Sequence, residues 1–138
     1  MSADFDFAKS VRHRCRLPAP RLQIVTSTED LQQAPLDLRR SIVLIHAAWS
    51  GYSVQVLEQA AEFIRNPAWS EVKLVVIDCD WFNEQVSVGH PPAELALAES
   101  SQGYGESYCF RDWFYVGSPT RRYAIGETFT RAVDSLLA

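Results

Sequence analysis

The sequence predicts an α/β fold in which helices flank a central mixed β-sheet, with the element order βαβαβαββα. Two continuous apolar runs of strand length, at residues 41–48 and 72–78, are typical of strands that are covered on both faces. Helical apolar spacing between these runs indicates a parallel crossover connection. Late in the chain, a Gly-Ser-Pro turn at residues 117–119 separates two strand-like stretches, which predicts an antiparallel hairpin.

The size and composition indicate one ordinary globular domain. The chain has 138 residues, 47% hydrophobic and 22% charged, so it can bury a core without disulfides or a structural metal. Its formal net charge of −4 has the wrong sign for a nucleic-acid or acidic-membrane surface, and we expect neither partner. No apolar run approaches the roughly 18 residues of a membrane span, and the first residues lack the pattern of a signal peptide.

Cysteine usage points to a reducing compartment. Cys15, Cys79 and Cys109 are odd in number and far apart, and the chain contains no C-x-x-C pair. We therefore expect a cytoplasmic protein. The three histidines do not cluster with cysteines or carboxylates at metal-ligand spacings, so we expect no metal and no other cofactor.

The first 40 residues predict an arm, a strand and a helix. Arginines and prolines mix through residues 1–20, which indicates an irregular N-terminal arm leading into one domain over residues 21–138. Residues 22–26 form a short strand. Ser27, with Asp30 three residues later, resembles a capping arrangement for a helix that continues to about residue 40.

The middle of the chain predicts the centre of the sheet. Residues 41–48 are the central strand, because their apolar run is unbroken. Apolar residues then recur at helical spacing over residues 54–64, and an Asn-Pro pair at 66–67 ends that helix. Residues 72–78 form the next buried strand.

The remaining elements are predicted from turn signals and spacing. A looser segment covers residues 81–92, and two prolines at its end open a helix over residues 93–101. Residues 113–116 and 121–125 flank the turn of the hairpin. Apolar residues at helical spacing near the end place a last helix, over about residues 129–136, against the sheet.

One stretch resembles a known family. Residues 42–53 run Ile-Val-Leu-Ile-His-Ala-Ala-Trp-Ser-Gly-Tyr-Ser, which resembles the thioredoxin family's buried strand followed by Ala-x-Trp-Cys-Gly-x-Cys and a helix. Trp49 and Gly51 match that motif, whereas serine stands at both cysteine positions, Ser50 and Ser53. The resemblance implies a thioredoxin-like fold with an altered redox motif.

Two further stretches extend the resemblance to roughly residues 22–138. Residues 75–80, Val-Val-Ile-Asp-Cys-Asp, are similar to the family's third strand with its terminal acidic residue. Tyr104-Gly105 and Gly126 stand at the separation of the family's Tyr-Gly and Gly that bracket its cis-proline loop and last hairpin. The chain is longer than a minimal thioredoxin at residues 83–94, and such a connection is more often a partner-binding loop than idle chain.

The serines remove the family's chemistry. Dithiol exchange needs a thiolate at a helix N-terminus and a second thiol to resolve the mixed disulfide. Because Ser50 and Ser53 supply neither, exchange through this motif is excluded. The family's buried acid and its paired lysine fall on Leu44 and Val76, so the proton relay is absent as well.

The same alignment places Cys109 and Phe110 at the cis-proline loop. A cis bond before Phe110 would cost about 2.5–4 kcal/mol, so we expect a trans bond and a reshaped groove. One interpretation is that Cys109 faces the motif across the groove, within reach of Ser50 and Ser53, as a lone reactive thiol. The alternative is a small buried side chain in the sheet, which is the usual fate of a free cysteine.

Serine chemistry is a weaker hypothesis. His46 and Ser50 lie near one end of the central strand, but no acidic residue that could orient the histidine is evident, and Gly-x-Ser-x-Gly is absent. A helix cap, worth about 1 kcal/mol, is the favoured role of Ser50 or Ser53. We therefore expect no catalytic residue, with Cys109 as the one alternative.

The leading hypothesis is a redox-inactive thioredoxin-like domain that binds a protein or peptide. Its aromatic residues concentrate near the motif and the last hairpin, as in recognition surfaces. A single-thiol redox or peroxide-responsive protein is the alternative function, and homodimerisation through the aromatic hairpin is a third hypothesis. The candidate binding residues are Trp49, Ser50, Gly51, Tyr52, Ser53, Trp81, Cys109 and Phe110.

Overall fold

Five strands and four α-helices make up the fold in the computed structural model, which describes residues 6–95, 100–112 and 114–117. The strands are β1 (Leu22–Val25), β2 (Arg40–His46), β3 (Lys73–Asp78), β4 (Ser107–Arg111) and β5 (Phe114–Gly117). The helices are α1 (Phe7–Cys15), α2 (Thr28–Gln33), α3 (Gly51–Arg65) and α4 (Cys79–Ser87). Short 3-10 turns occur at Ala19–Arg21, Pro67–Trp69 and Ala93–Leu95.

The strands form one mixed sheet in the order β1-β3-β2-β4-β5. β3 pairs in parallel with both β1 and β2, whereas β4 runs antiparallel to β2 and β5 antiparallel to β4. Two parallel crossovers followed by an antiparallel pair are what the element order predicts. The predicted α/β fold class, a mixed sheet flanked by helices, is confirmed.

Side chains of β2 divide the core into two layers. Ile42 and Leu44 face the layer that contains α1 and α3, and Val43 and Ile45 face the opposite layer, which contains α4. All four are fully buried, because this central strand is covered on both faces. The turn that follows β2 therefore lies at the carboxyl-terminal ends of the parallel strands β1, β2 and β3.

The prediction of an irregular arm over residues 1–20 is wrong for residues 7–15. These residues form α1, whose N-terminus is capped by the Asp6 carboxylate, an acceptor for the backbone N–H of Lys9 at 3.0 Å. Val11 and Cys15, one helical turn apart, are fully buried against the layer that contains α3. This apolar stripe, rather than the neighbouring arginines, decides the local structure.

Two predictions in the second half of the chain are corrected. Residues 81–87 are not a loose segment but belong to α4, which Asp78 caps. The helix predicted over residues 93–101 is a short 3-10 turn at Ala93–Leu95, and residues 100–102 are not helical. Residues 96–99 lie outside the described residues. The connection from α4 to β4 therefore begins after Ser87 and ends before Ser107.

β4 and β5 form an antiparallel hairpin. Its turn includes Asp112, whose φ of 53° is in the left-handed region. A strand was expected at residues 113–116, and β5 (Phe114–Gly117) lies there. The predicted strand at 121–125, the last helix at 129–136 and Gly126 lie outside the described residues.

Candidate functional site

The motif occupies the turn between β2 and α3. Ser50 is the N-cap of α3, and its hydroxyl accepts a hydrogen bond from the backbone N–H of Ser53 at 3.4 Å. The same hydroxyl donates to the carbonyl oxygen of Gly103 at 2.5 Å. The capping role predicted for serine here is thus confirmed for Ser50, whose proton is already engaged with the backbone of a facing loop.

Ser53 lies beneath the surface and joins two buried polar groups. It is fully buried, and its Oγ accepts from the backbone N–H of Ala47 at 2.9 Å. His46 Nδ1 lies 2.7 Å from the same oxygen. Both groups are satisfied when the hydroxyl donates to Nδ1 of a neutral ring, since Oγ already accepts from Ala47.

His46 is neutral near pH 7. Burial lowers its pKa to about 4, and the positive charge of Arg14 adds to the effect. Phe7 of α1 covers the ring, with centroids 5.6 Å apart. His46 therefore pairs with Ser53 rather than with Ser50, and the pairing of Ser50 with a basic histidine that a hydrolase would need is not assembled.

A loop at residues 101–106 lies opposite the motif. A Cβ on Gly103, which has a φ of +84°, would come within 2.4 Å of Trp49 Cη2, so the loop backbone packs directly against the indole. At Gly105, with a φ of +73°, a Cβ would lie 2.8 Å from the Cβ of Val56 in α3. Only glycine fits this close approach at both positions.

Polar side chains hold this loop in place. Asn83 of α4 forms two hydrogen bonds with the backbone of Ser101: its Nδ2 donates to the carbonyl oxygen at 2.8 Å, and its Oδ1 accepts from the N–H at 2.7 Å. The Glu106 carboxylate accepts from the Ser101 hydroxyl at 2.6 Å and from the N–H of Gln102 at 2.8 Å. No sequence pattern indicated Asn83, because its contacts join segments 18 positions apart, whereas Glu106 forms its bonds within the loop itself.

Trp49 and Tyr52 are exposed beside this loop. Trp49 is 64% exposed, and its indole Nε1–H donates to the Asp80 carboxylate at 3.2 Å. Tyr52 is 41% exposed and meets Tyr104 edge to face, with ring centroids 6.0 Å apart. We call Trp49, Tyr52, Tyr104 and Asp80 together the motif surface. Gly51, the first residue of α3, is exposed between the two aromatic side chains.

Trp81, which follows Asp80 in the chain, is only partly exposed. Its half-buried side chain packs against the core layer that contains Phe82 and Leu38. Trp81 is therefore less exposed than Trp49, and its role as a binding residue stays a prediction.

Cys109 and Phe110 are also remote from the motif. In β4, Cys109 stands opposite Ile42 and Phe110 opposite Ser41, near the start of β2, whereas the motif follows its end. Their side chains enter opposite core layers, and Cys109 is fully buried. The interpretation of Cys109 as a small buried side chain in the sheet is confirmed. The other interpretation, a thiol within reach of Ser50 and Ser53, is wrong, because residues 101–106 lie opposite the motif. The peptide bond before Phe110 is trans.

All three cysteines are buried free thiols. Burial raises the pKa of Cys109 to about 12, and that of Cys15 to about 12 despite the opposing charge of Arg65. Burial likewise raises the pKa of Cys79, and nearby carboxylates add to it. Thiolate, the reactive form, is therefore disfavoured at each position.

No group of three or more histidine, cysteine or carboxylate side chains in residues 6–95, 100–112 and 114–117 could hold a metal ion. Among the same residues, no helix has the length and apolar character needed to cross a membrane.

Comparison with solved structures identifies the fold as thioredoxin-like. The chain is similar to thioredoxin of Malassezia sympodialis (Mala s 13), with 14% identity over 86% of this chain and 95% of that one, and a TM-score of 0.57. A protein described as an oxidoreductase with a thioredoxin fold has 11% identity, 82% and 94% coverage, and a TM-score of 0.56. A designed protein has 15% identity, 88% and 96% coverage, and a TM-score of 0.55. The sequence matches no established family profile and no curated protein.

Proposed function

We propose that this chain is a thioredoxin-like domain without dithiol–disulfide exchange, which binds a protein or peptide at the motif surface. In this proposal Ser50 and Ser53 stand where the family has its two cysteines. Trp49 and Tyr52 are the contacts, and the loop at residues 101–106 forms the opposite wall. We also propose a cytoplasmic location, on the basis of three unpaired, buried cysteines.

One observation carries the proposal: both motif hydroxyls are occupied by hydrogen bonds within the protein, whereas the aromatic side chains beside them face solvent. Ser50 caps α3 and binds Gly103, and Ser53 is buried against His46. Trp49 is nevertheless 64% exposed and is held in one orientation by Asp80. A fixed, exposed indole is typical of the residues that contribute most to binding.

The single-thiol alternative receives no support from the geometry. Cys109 is fully buried in the sheet and its pKa is raised to about 12, whereas a reactive cysteine needs an accessible thiolate. Cys15 and Cys79 are buried as well, so no second thiol is placed to resolve an oxidised Cys109. We retain the binding function alone.

The binding part is tested by capture from native lysate, with bound proteins identified by mass spectrometry. Trp49→Ala should lose the partners that the wild type retains, while circular dichroism shows an unchanged fold. Val88→Ala is the matched control, because Val88 is also an exposed hydrophobic residue, 58% accessible, at the far end of α4. Partners retained equally by all three proteins would contradict a binding role for the motif surface.

The redox part is tested by insulin reduction. The wild type should show no activity above the dithiothreitol background, since a hydroxyl cannot exchange a disulfide. The double variant Ser50→Cys, Ser53→Cys should form an intramolecular disulfide and gain measurable activity, because its first thiol would lie at the N-terminus of α3. Insulin reduction by the wild type above the dithiothreitol background would disprove the proposal.

A further inference from the structure

We propose that the motif surface recognises an arginine side chain of the bound protein or peptide. This inference rests on the proposed binding function and specifies the chemistry of the partner. Three features support it: the exposed indole of Trp49, the second carboxylate oxygen of Asp80 beside that indole, and the negative charge of the neighbouring described carboxylates.

The indole of Trp49 offers a fixed aromatic face. Gly103 packs against its six-membered ring, and the hydrogen bond from Nε1 to Asp80 sets its orientation. With 64% of the residue exposed, the remaining surface faces solvent. A guanidinium that stacks on such a face is attracted by the negative potential of the ring, and tryptophan gives the strongest such contact.

Asp80 supplies an acceptor at the edge of that ring. One carboxylate oxygen, Oδ1, accepts from Trp49. Within the described part of the chain, the second oxygen has no hydrogen bond and no cation forms an ion pair with this carboxylate. A planar guanidinium lying on the indole can direct an N–H at this second oxygen, whereas lysine has no plane to stack.

The described charges that act on Cys79, the neighbour of Asp80, are negative. Asp78, Asp80 and Glu106 all act on the Cys79 thiol in the direction that raises its pKa. No described cation contributes to the shifts of Cys79 or of Asp78, whose own pKa is raised mainly by burial. These three carboxylates attract an approaching cation and repel an anion. Charge complementarity favours a basic side chain over an acidic or purely apolar one.

The test uses two peptides that differ in one charge. Acetyl-Gly-Gly-Arg-Gly-Gly-amide and the same peptide with neutral, similarly shaped citrulline are titrated to about 10 mM, and the Trp49 indole N–H is followed by nitrogen-15 NMR. We expect saturable shifts with the arginine peptide and binding about tenfold weaker with the citrulline peptide.

Asp80→Asn isolates the role of the carboxylate, since asparagine Oδ1 can still accept from Trp49. This variant should bind the arginine peptide about tenfold more weakly. The control is Glu62→Gln, which removes an exposed carboxylate about 16 Å along α3 from Gly51 and should bind the peptide as the wild type does. Equal binding of the two peptides, an unchanged affinity of Asp80→Asn, or no shift with the arginine peptide would each overturn the inference. None of these results decides the proposed function, which is judged separately by the capture of partners with Trp49→Ala and Val88→Ala.

Discussion

At the scale of single residues, Ser53 is where the motif departs most from a reactive site. Its hydroxyl is fully buried between the N–H of Ala47 and Nδ1 of His46, so it acts as an internal hydrogen-bonding group. Ser50, one turn earlier, is half-buried and caps the helix. The two serines therefore have different structural roles, and replacing each should lower the free energy of unfolding by a different amount.

Replacement of Ser53 by alanine should destabilise the fold more than replacement of Ser50. Ser53→Ala leaves a buried N–H and a buried ring nitrogen without their partner, at a cost of about 1–3 kcal/mol each before any relaxation. Ser50→Ala removes a cap worth about 1 kcal/mol. Urea unfolding of the two variants measures the difference. An equal loss of unfolding free energy would show that the buried pair is not a strong stabilising element.

His46 makes stability dependent on pH. Its folded pKa of about 4 lies below the ordinary value of 6.5, so the unfolded chain binds more protons between these values. The free energy of unfolding should therefore fall as the pH drops from about 6.5 to 4, by at most roughly 3 kcal/mol from this group. Asp78, whose folded pKa is raised, acts with the opposite sign, because its stabilising contribution is lost as the pH rises.

The variant His46→Gln isolates this effect. It keeps an amide that can pair with Ser53 but has no titrating ring, so its unfolding free energy should vary less over the same pH interval. Urea unfolding at several pH values, for wild type and variant, provides the comparison. Identical slopes would assign the pH dependence to other groups.

At the scale of elements, the loop at residues 101–106 fixes the motif surface from the side opposite to α3. Asn83 anchors its first residue to α4, and Glu106 closes it onto Ser101. Its last residue also joins the sheet, because the carbonyl oxygen of Glu106 accepts from the N–H of Ile45 at 2.9 Å. The loop is thus attached to α4 at Ser101 and to β2 at Glu106. Gly103 lies between these two attachments and supports Trp49.

Alanine at Gly103 should displace the indole. The matched control is Gly89→Ala, because Gly89 has a similar φ, +79° against +84°, but a Cβ there would meet no atom within 4 Å. Both variants incur the backbone strain of a positive φ, roughly 1–2 kcal/mol. Only Gly103→Ala adds a clash with Trp49, so it alone should lose further stability and shift the indole resonance. Equal effects of the two substitutions would mean that the ring moves aside without cost.

The sequence predicted the elements whose apolar pattern is strong. β2, β3 and α3 lie where continuous or helical spacing indicated them, and Ser50 caps α3. It was harder to predict which residues of neighbouring strands lie opposite each other. One interpretation put Cys109 beside the motif because it aligns with the residue before the family's cis-proline, but backbone pairing with Ile42 decides the register of β4, and residue spacing does not encode that pairing.

At the scale of the whole molecule, the three thiols report on the integrity of both core layers. Cys15 and Cys109 lie in the layer that contains α3, and Cys79 lies in the other. All three are completely buried and protonated at neutral pH, since burial raises the pKa of each. A thiol reagent can reach them only when the structure opens.

Native protein should therefore react with an aromatic disulfide reagent slowly, and unfolded protein rapidly with three equivalents. If opening is global, the slow native rates of Cys15, Cys79 and Cys109 should be equal and should rise together as urea is added below the unfolding midpoint. Single Cys→Ser variants assign each phase. A rapid native phase lost only in Cys109→Ser would restore the single-thiol function, because it would show an accessible thiolate where the sheet is packed. A rapid phase lost only in Cys15→Ser would instead mean that α1 detaches from α3 without global unfolding.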